Sequence, residues 1–125
     1  VLGALLARKP KLLLLDEPTT GQDQQSLEEI KKLIADFAKQ AGCILFCTHD
    51  IELASEIADR VIIMADGRII ADGEPEIVLA DRTILAAGGL TVPPLLNVAE
   101  ALLLPKCITV EGVGRYVSPS VMGRL

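Results

Sequence analysis

Two short apolar runs, separated by an amphipathic pattern, organise the first part of the chain. Residues 12–15 are all leucine and stand between two prolines, and residues 43–47 form a second apolar run. Runs of this length are too short for helices and are typical of strands buried on both faces. Between them, apolar residues recur at three- and four-residue spacing over residues 24–41. This spacing predicts a helix capped by Asp23 or Ser26.

The order strand, helix, strand predicts how the two strands pair. A connection of this length cannot be a tight turn, and it favours parallel pairing through a right-handed crossover. The expected fold class is therefore α/β, with a parallel sheet at its centre.

The pattern changes along the rest of the chain. A short helix is expected from residue 51 to about residue 58, and the sequence VIIMADGRIIADG then predicts a hairpin that turns at Asp66 and Gly67. A helix beginning near Pro75 and helical pieces over residues 84–87 and 95–104 follow, and residues 107–125 are weakly patterned. We therefore expect an α/β segment over residues 1–80 and a small helical C-terminal extension over residues 81–125.

Composition excludes several classes of function. The net charge is −5 and the aromatic residues are two Phe and one Tyr, which argues against nucleic acid as a partner. One histidine and three cysteines without a close pair argue against a zinc site. Residues 84–104 are nearly uncharged but contain one Gly-Gly and one Pro-Pro pair, so we do not expect a membrane span there.

Polar residues follow both predicted strands at the point where each strand ends. Asp16 and Glu17 come directly after the leucines, and Thr48 and His49 come directly after the second run. In open parallel sheets, ligands bind beyond the carboxyl ends of the strands, so we expect the acids and the imidazole to converge on one edge.

Two adjacent acids and a histidine suit metal-assisted phosphate chemistry. One carboxylate can hold Mg²⁺, and the other can orient and deprotonate a water molecule. A nearby histidine can contact the terminal phosphate. Simpler readings stay open: Asp16 and Glu17 could form a solvated turn, His49 could merely precede a helix, and Asp23 could only cap one.

The motifs also carry a family resemblance. The stretch LLLLDEPTTGQD, followed after one helix by CTHD, resembles the Walker B strand, D-loop and switch histidine of an ATP-binding cassette (ABC) ATPase, a P-loop NTPase-like fold. The resemblance implies ATP and Mg²⁺ as cofactors, Asp16 as the Mg²⁺-side aspartate and Glu17 as the catalytic base. It further implies that Asp23 reaches across a nucleotide-sandwich dimer and that His49 contacts the γ-phosphate.

Two stretches further along the chain resemble one particular type of ABC ATPase. The stretches DGRIIADGEPEIVLAD and GGLTVPPLLNVAEALLL resemble the energy-coupling-factor type, which drives vitamin and transition-metal uptake. This type implies a second ABC ATPase subunit, identical or different, as partner. It also implies a transmembrane coupling protein, a substrate-binding membrane component and a peripheral position on the cytoplasmic face of the cell membrane.

Some motifs of the family do not occur in this sequence. There is no G-x-x-x-x-G-K-[ST] phosphate loop and no LSGGQ-like signature, and residues 1–7 resemble the end of the helix that the signature begins. We therefore expect the C-terminal half of a cassette domain that does not hydrolyse ATP alone. The alternatives are a soluble ABC-type ATPase acting on ribosomes or chromosomes, and a non-enzymatic interaction module.

Overall fold

The computed structural model describes residues 10–40 and 42–116, which form two compact units. The first unit ends at His49 and the second begins at Asp50. The helix end expected over residues 1–7 and the part of the weakly patterned tail after residue 116 lie outside the described residues.

Within its described residues, the first unit is a two-stranded parallel sheet with one long helix. Strand β1 (Leu12–Asp16) pairs in parallel with strand β2 (Cys43–Cys47), and helix α1 (Gln24–Lys39) connects them. The fold class and the parallel pairing expected from the sequence are therefore confirmed. Helix α1 begins after Asp23, whose side chain accepts a hydrogen bond from the Ser26 backbone N–H at 2.8 Å. Of the two capping candidates, Asp23 is the cap.

The sheet of the first unit is covered on one face only. Leu13, Ile34 and Phe37 are buried where α1 packs against the sheet. On the opposite face Leu12, Leu14 and Leu45 are each more than half exposed. The prediction that these strands are buried on both faces is wrong for this structure, because one helix can cover only one face of a two-stranded sheet.

The second unit contains a hairpin and several short helices. Its strands β3 and β4 are antiparallel, and the turn between them has φ of 48° at Asp66 and 72° at Gly67, as a two-residue hairpin turn requires. The hairpin prediction is therefore confirmed. In chain order the elements are α2 (Ile51–Ile57), β3 (Val61–Ala65), β4 (Arg68–Gly73), α3 (Pro75–Val78), α4 (Arg82–Ala87), α5 (Pro94–Ala101) and α6 (Val110–Gly114).

One apolar core unites the second unit. It contains residues from both sides of the domain boundary expected at residue 80: Ile51, Ile63, Val78, Leu79, Ala80, Leu85, Leu96 and Ile108. The division of the chain at that boundary stays a prediction. Helix α6 lies in the segment that the sequence pattern left without an assigned element. Across the described residues, none of the helices combines the length and hydrophobicity needed to cross a bilayer.

Candidate functional site

The two strand ends of the first unit bring the predicted site residues to one edge of the sheet. Asp16 is the last residue of β1, is exposed, and lies opposite Cys47 at the end of β2. The backbone N–H of Glu17 donates to the Cys47 carbonyl at 2.9 Å. The pairing of the strands therefore extends one residue further and fixes the backbone of Glu17 beside the end of β2.

Glu17 has an unusual backbone conformation. Its φ is 44°, in the left-handed region that residues with a side chain rarely adopt. The next residue is Pro18, and the backbone N–H of Thr20 donates to the Glu17 carbonyl at 3.2 Å. The chain thus leaves the strand at Glu17 and turns, which brings Thr20 next to the Glu17 side chain.

The carboxylate of Glu17 contacts the imidazole of His49. Nδ1 of His49 lies 2.9 Å from Oε1 of Glu17, and the side chains are 77% and 37% exposed respectively. With the proton on Nδ1, the ring donates to the carboxylate. The expected meeting of acid and imidazole at the sheet edge is therefore present. The roles assigned to these residues stay predictions.

Two threonine hydroxyls complete the surroundings of the same carboxylate. Oγ1 of Thr20 donates to Oε2 of Glu17 at 3.2 Å, and Oγ1 of Thr48 donates to the same oxygen at 3.4 Å. Sequence reasoning placed Thr48 at the strand end but did not find Thr20. The signal that could have found it is the spacing of three residues across a turn that begins at Glu17.

These contacts favour the charged form of the Glu17 carboxylate. The hydrogen bond with His49 is the main cause that lowers the pKa of Glu17 below its ordinary value, and the hydroxyls of Thr20 and Thr48 lower it further. Partial desolvation acts in the opposite direction without reversing the result. Glu17, like an ordinary glutamate, is ionised at neutral pH and is a pure hydrogen-bond acceptor there, and its lowered pKa favours that form further.

Asp23 lies at the beginning of α1, where its carboxylate is engaged with the helix backbone. The hydrogen bond from Ser26 lowers the pKa of Asp23 and so favours its ionised form. No hydrogen bond among the described residues joins it to the Glu17–His49 pair. Its capping role is therefore visible, and any role toward a dimer partner is a separate prediction.

A metal ion would find few protein ligands in the described part of the chain. No group of three His, Cys, Asp or Glu side chains converges there. Mg²⁺ usually binds one or two carboxylates and keeps water and phosphate oxygens as its other ligands. The exposed carboxylate of Asp16 fits a site of that kind, whereas a closed structural metal site does not fit.

The chain resembles characterised proteins over most of its length. It is 40% identical over 98 residues to the cobalt import ATP-binding protein CbiO of Rhodobacter capsulatus, a match that covers 78% of this chain. It is also 40% identical over 101 residues to the energy-coupling factor transporter ATP-binding protein EcfA2 of Methanospirillum hungatei, with 81% of this chain covered. No protein-family model matches the chain.

A solved structure shows the same fold. The structure of cbiO1 from Clostridium perfringens, described as part of the ABC transporter complex cbiONQ, matches 77% of this chain with a TM-score of 0.56 and 36% sequence identity. In each case the chain spans a minor part of the other protein: 35% of CbiO, 25% of EcfA2 and 39% of cbiO1.

Proposed function

The chain belongs to the ATP-binding cassette family of transporter ATPases, and on that premise we propose that it forms the catalytic edge of an ATP-hydrolysing importer subunit. The hydrogen-bonded Glu17–His49 pair at the end of two parallel strands is the observation that carries the proposal. The similarity to a cobalt import protein and to an energy-coupling factor protein supports a vitamin or a transition metal ion as the cargo.

Glu17 acts as the general base in this proposal. Its carboxylate is ionised, partly exposed and held by hydrogen bonds, so it can orient a water molecule and accept a proton from it as the water attacks the γ-phosphate. The imidazole of His49 is more exposed than its partner. His49 therefore holds the carboxylate through Nδ1 and presents its other nitrogen toward the terminal phosphate.

In this proposal, Asp16 contributes to Mg²⁺ binding and Asp23 to the contact with a second cassette. The carboxylate of Asp16, at the end of β1, would hold Mg²⁺ together with water and phosphate oxygens. The metal would supply positive charge that stabilises the phosphate oxygens during transfer. Asp23 stabilises the beginning of α1 and reaches the nucleotide site of a second cassette when the two subunits close on ATP.

In this proposal, the phosphate loop and the signature motif are supplied from outside these 125 residues. No phosphate loop or signature motif occurs in the 125 residues. Because those motifs bind the phosphates in P-loop ATPases, the chain alone is inactive in our proposal. The working assembly contains a second ABC ATPase subunit, a transmembrane coupling protein and a substrate-binding membrane component, and the ATPase lies on the cytoplasmic face of the cell membrane.

Replacement of the base tests the proposal. In a complete subunit that contains this segment and its phosphate loop, Glu17→Gln keeps the size of the side chain but cannot accept the proton. We expect kcat for ATP hydrolysis to fall about 10²-fold or more, within the range typical of general bases, while ATP binding persists. Glu29→Gln, at an exposed position on α1, is the matched control and should leave kcat unchanged.

Two results would contradict the proposal. Hydrolysis by the Glu17→Gln variant at the rate of the unaltered protein would remove Glu17 from the role of base. ATP hydrolysis by the isolated 125-residue chain that disappears on Glu17→Gln would instead show that the phosphate-binding motifs are not needed from elsewhere.

A further inference from the structure

We propose that Thr20 and Thr48 are positioning residues, which hold the Glu17 carboxylate in the orientation that accepts the proton of the attacking water. The inference rests on the proposed function of Glu17 as the base. It concerns residues whose side chains are not themselves part of the acid–imidazole pair.

The two hydroxyls reach the same atom from different elements. Thr20 belongs to the turn that begins at Glu17 itself, and its backbone N–H closes that turn on the Glu17 carbonyl. Thr48 follows the last residue of β2, the strand that pairs with β1. Both hydroxyls donate to Oε2 of Glu17, at 3.2 Å and 3.4 Å. A local turn and a neighbouring strand therefore restrain one oxygen from two directions.

The oxygens of the carboxylate are divided among the partners. Oε1 accepts from His49 at 2.9 Å, and Oε2 accepts from Thr20 and Thr48. An ionised carboxylate has about four acceptor sites, so the bonds within the described part of the chain occupy three of them and leave about one for a water molecule. With bonds on both oxygens, the carboxylate group cannot rotate freely, and the direction of the remaining site is fixed.

The backbone contributes to the same restraint. A φ of 44° at a residue with a side chain persists only when the surroundings hold it. At Glu17 the surroundings are the bond to Cys47 on one side and the bond from Thr20 on the other. A pre-oriented base avoids part of the entropy of alignment during the reaction, and small misplacements of reacting groups reduce rates strongly.

Isosteric substitutions in the complete subunit test the proposal. Thr20→Val and Thr48→Val keep the shape of the side chain but remove the hydroxyl. We expect each to lower kcat for hydrolysis of ATP·Mg²⁺ by about tenfold and to leave KM within about twofold, because orientation matters in the transition state more than in binding. Thr20→Ser retains the hydroxyl and should restore most of the rate.

Thr19→Val provides the control within the same turn. Thr19 precedes Thr20, and its hydroxyl is not among the partners of Glu17. A second measurement is independent of hydrolysis: at neutral pH, the NMR resonance of the Glu17 Cδ atom in this chain should shift in Thr20→Val and Thr48→Val. It should not shift in Thr19→Val.

The outcomes separate this inference from the proposed function. Unchanged kcat in both valine variants, or a Thr20→Ser variant as slow as Thr20→Val, would overturn the positioning role while leaving Glu17 as the base. An active Glu17→Gln variant would overturn the role of the base and the positioning role together. A rise in KM at unchanged kcat would assign the hydroxyls to nucleotide binding and would also overturn the inference.

Discussion

The two units of the chain bury their apolar side chains in different ways. In the second unit Leu85 and Leu96 are fully buried, within a core formed by residues from the hairpin and four of the helices. In the first unit Leu14 is 64% exposed, on the same strand that ends at the acids. The unit with the candidate site therefore has an apolar sheet face without cover in the described structure. The second unit has a fully buried core, although its hairpin also exposes Ile62, Met64 and Ile69.

A core truncation should give the largest effect. Leu85→Ala removes a fully buried side chain and leaves a cavity, so we expect the second unit to lose about 2–5 kcal/mol of unfolding free energy. Urea denaturation, combined with amide hydrogen exchange to assign the loss to the second unit, measures it. Leu14→Ala is the matched control and should change stability by about 0.5 kcal/mol or less, as surface substitutions do. Equal losses of unfolding free energy in the two variants would show that the difference in burial between Leu85 and Leu14 does not affect stability.

Substitution of Gly42, which directly precedes β2, tests whether the core of the first unit is closely packed. A Cβ atom at Gly42 would collide with the ring of Phe37, which is buried between α1 and the sheet. We expect Gly42→Ala to destabilise the first unit by about 1–3 kcal/mol through overpacking, measured by the same hydrogen exchange.

The ring of Phe37 supplies the control for that substitution. If the collision is the cause, Phe37→Leu creates room, and Gly42→Ala costs less in that background than in the unaltered protein. An identical cost in the two backgrounds would place the effect in the backbone of Gly42, and the first unit would then lack the packing described for it.

The smallest effect is expected from an ion pair between Arg60, which directly precedes β3, and Asp72 on β4. Nε and Nη2 of Arg60 each donate to a carboxylate oxygen of Asp72 at 2.7 Å. This pairing lowers the pKa of Asp72 below its ordinary value. A lowered pKa in the folded state means that the contribution to stability is present above the unfolded pKa, near pH 4, and is lost as the pH falls through the folded value.

Asp72→Asn should therefore remove part of the loss of stability that the protein shows below about pH 4. Thermal unfolding midpoints recorded from pH 6 to pH 2 measure the difference between the variant and the unaltered protein. Glu76→Gln, an exposed acid in the second unit, is the control. A pH profile that is the same in Asp72→Asn and in the unaltered protein would show that the pair is as weak as most exposed ion pairs.

Local patterns predicted much of the fold and the centre of the site. Apolar runs and the Asp66-Gly67 turn indicated the strands and the hairpin, because both signals lie within a few residues. The meeting of Glu17 and His49 followed from topology, since parallel strands end at the same edge. None of these inferences needed knowledge of side-chain packing.

What the sequence could not predict depends on surroundings. A run of leucines indicates that both faces of a strand suit apolar neighbours, but it does not tell whether a neighbour is present, and Leu14 is exposed. The three-residue spacing suggests a turn, but the contact of Thr20 also depends on the left-handed conformation of Glu17, which that spacing does not specify. Helix α6 contains two glycines within five residues, so its propensity is low, and it begins at a cap formed by Thr109.

The register of β1 and β2 sets which parts of this segment can vary in length. Adjacent strand residues are about 3.3 Å apart and point to opposite faces, so one residue inserted within β2 would carry the imidazole away from the acid. Helix α1 connects the two strands in sequence and supplies neither the carboxylate of Glu17 nor the imidazole of His49. Insertions and deletions among related chains should therefore occur beyond the C-terminal end of this helix, after Lys39, and should be absent from β1 and β2.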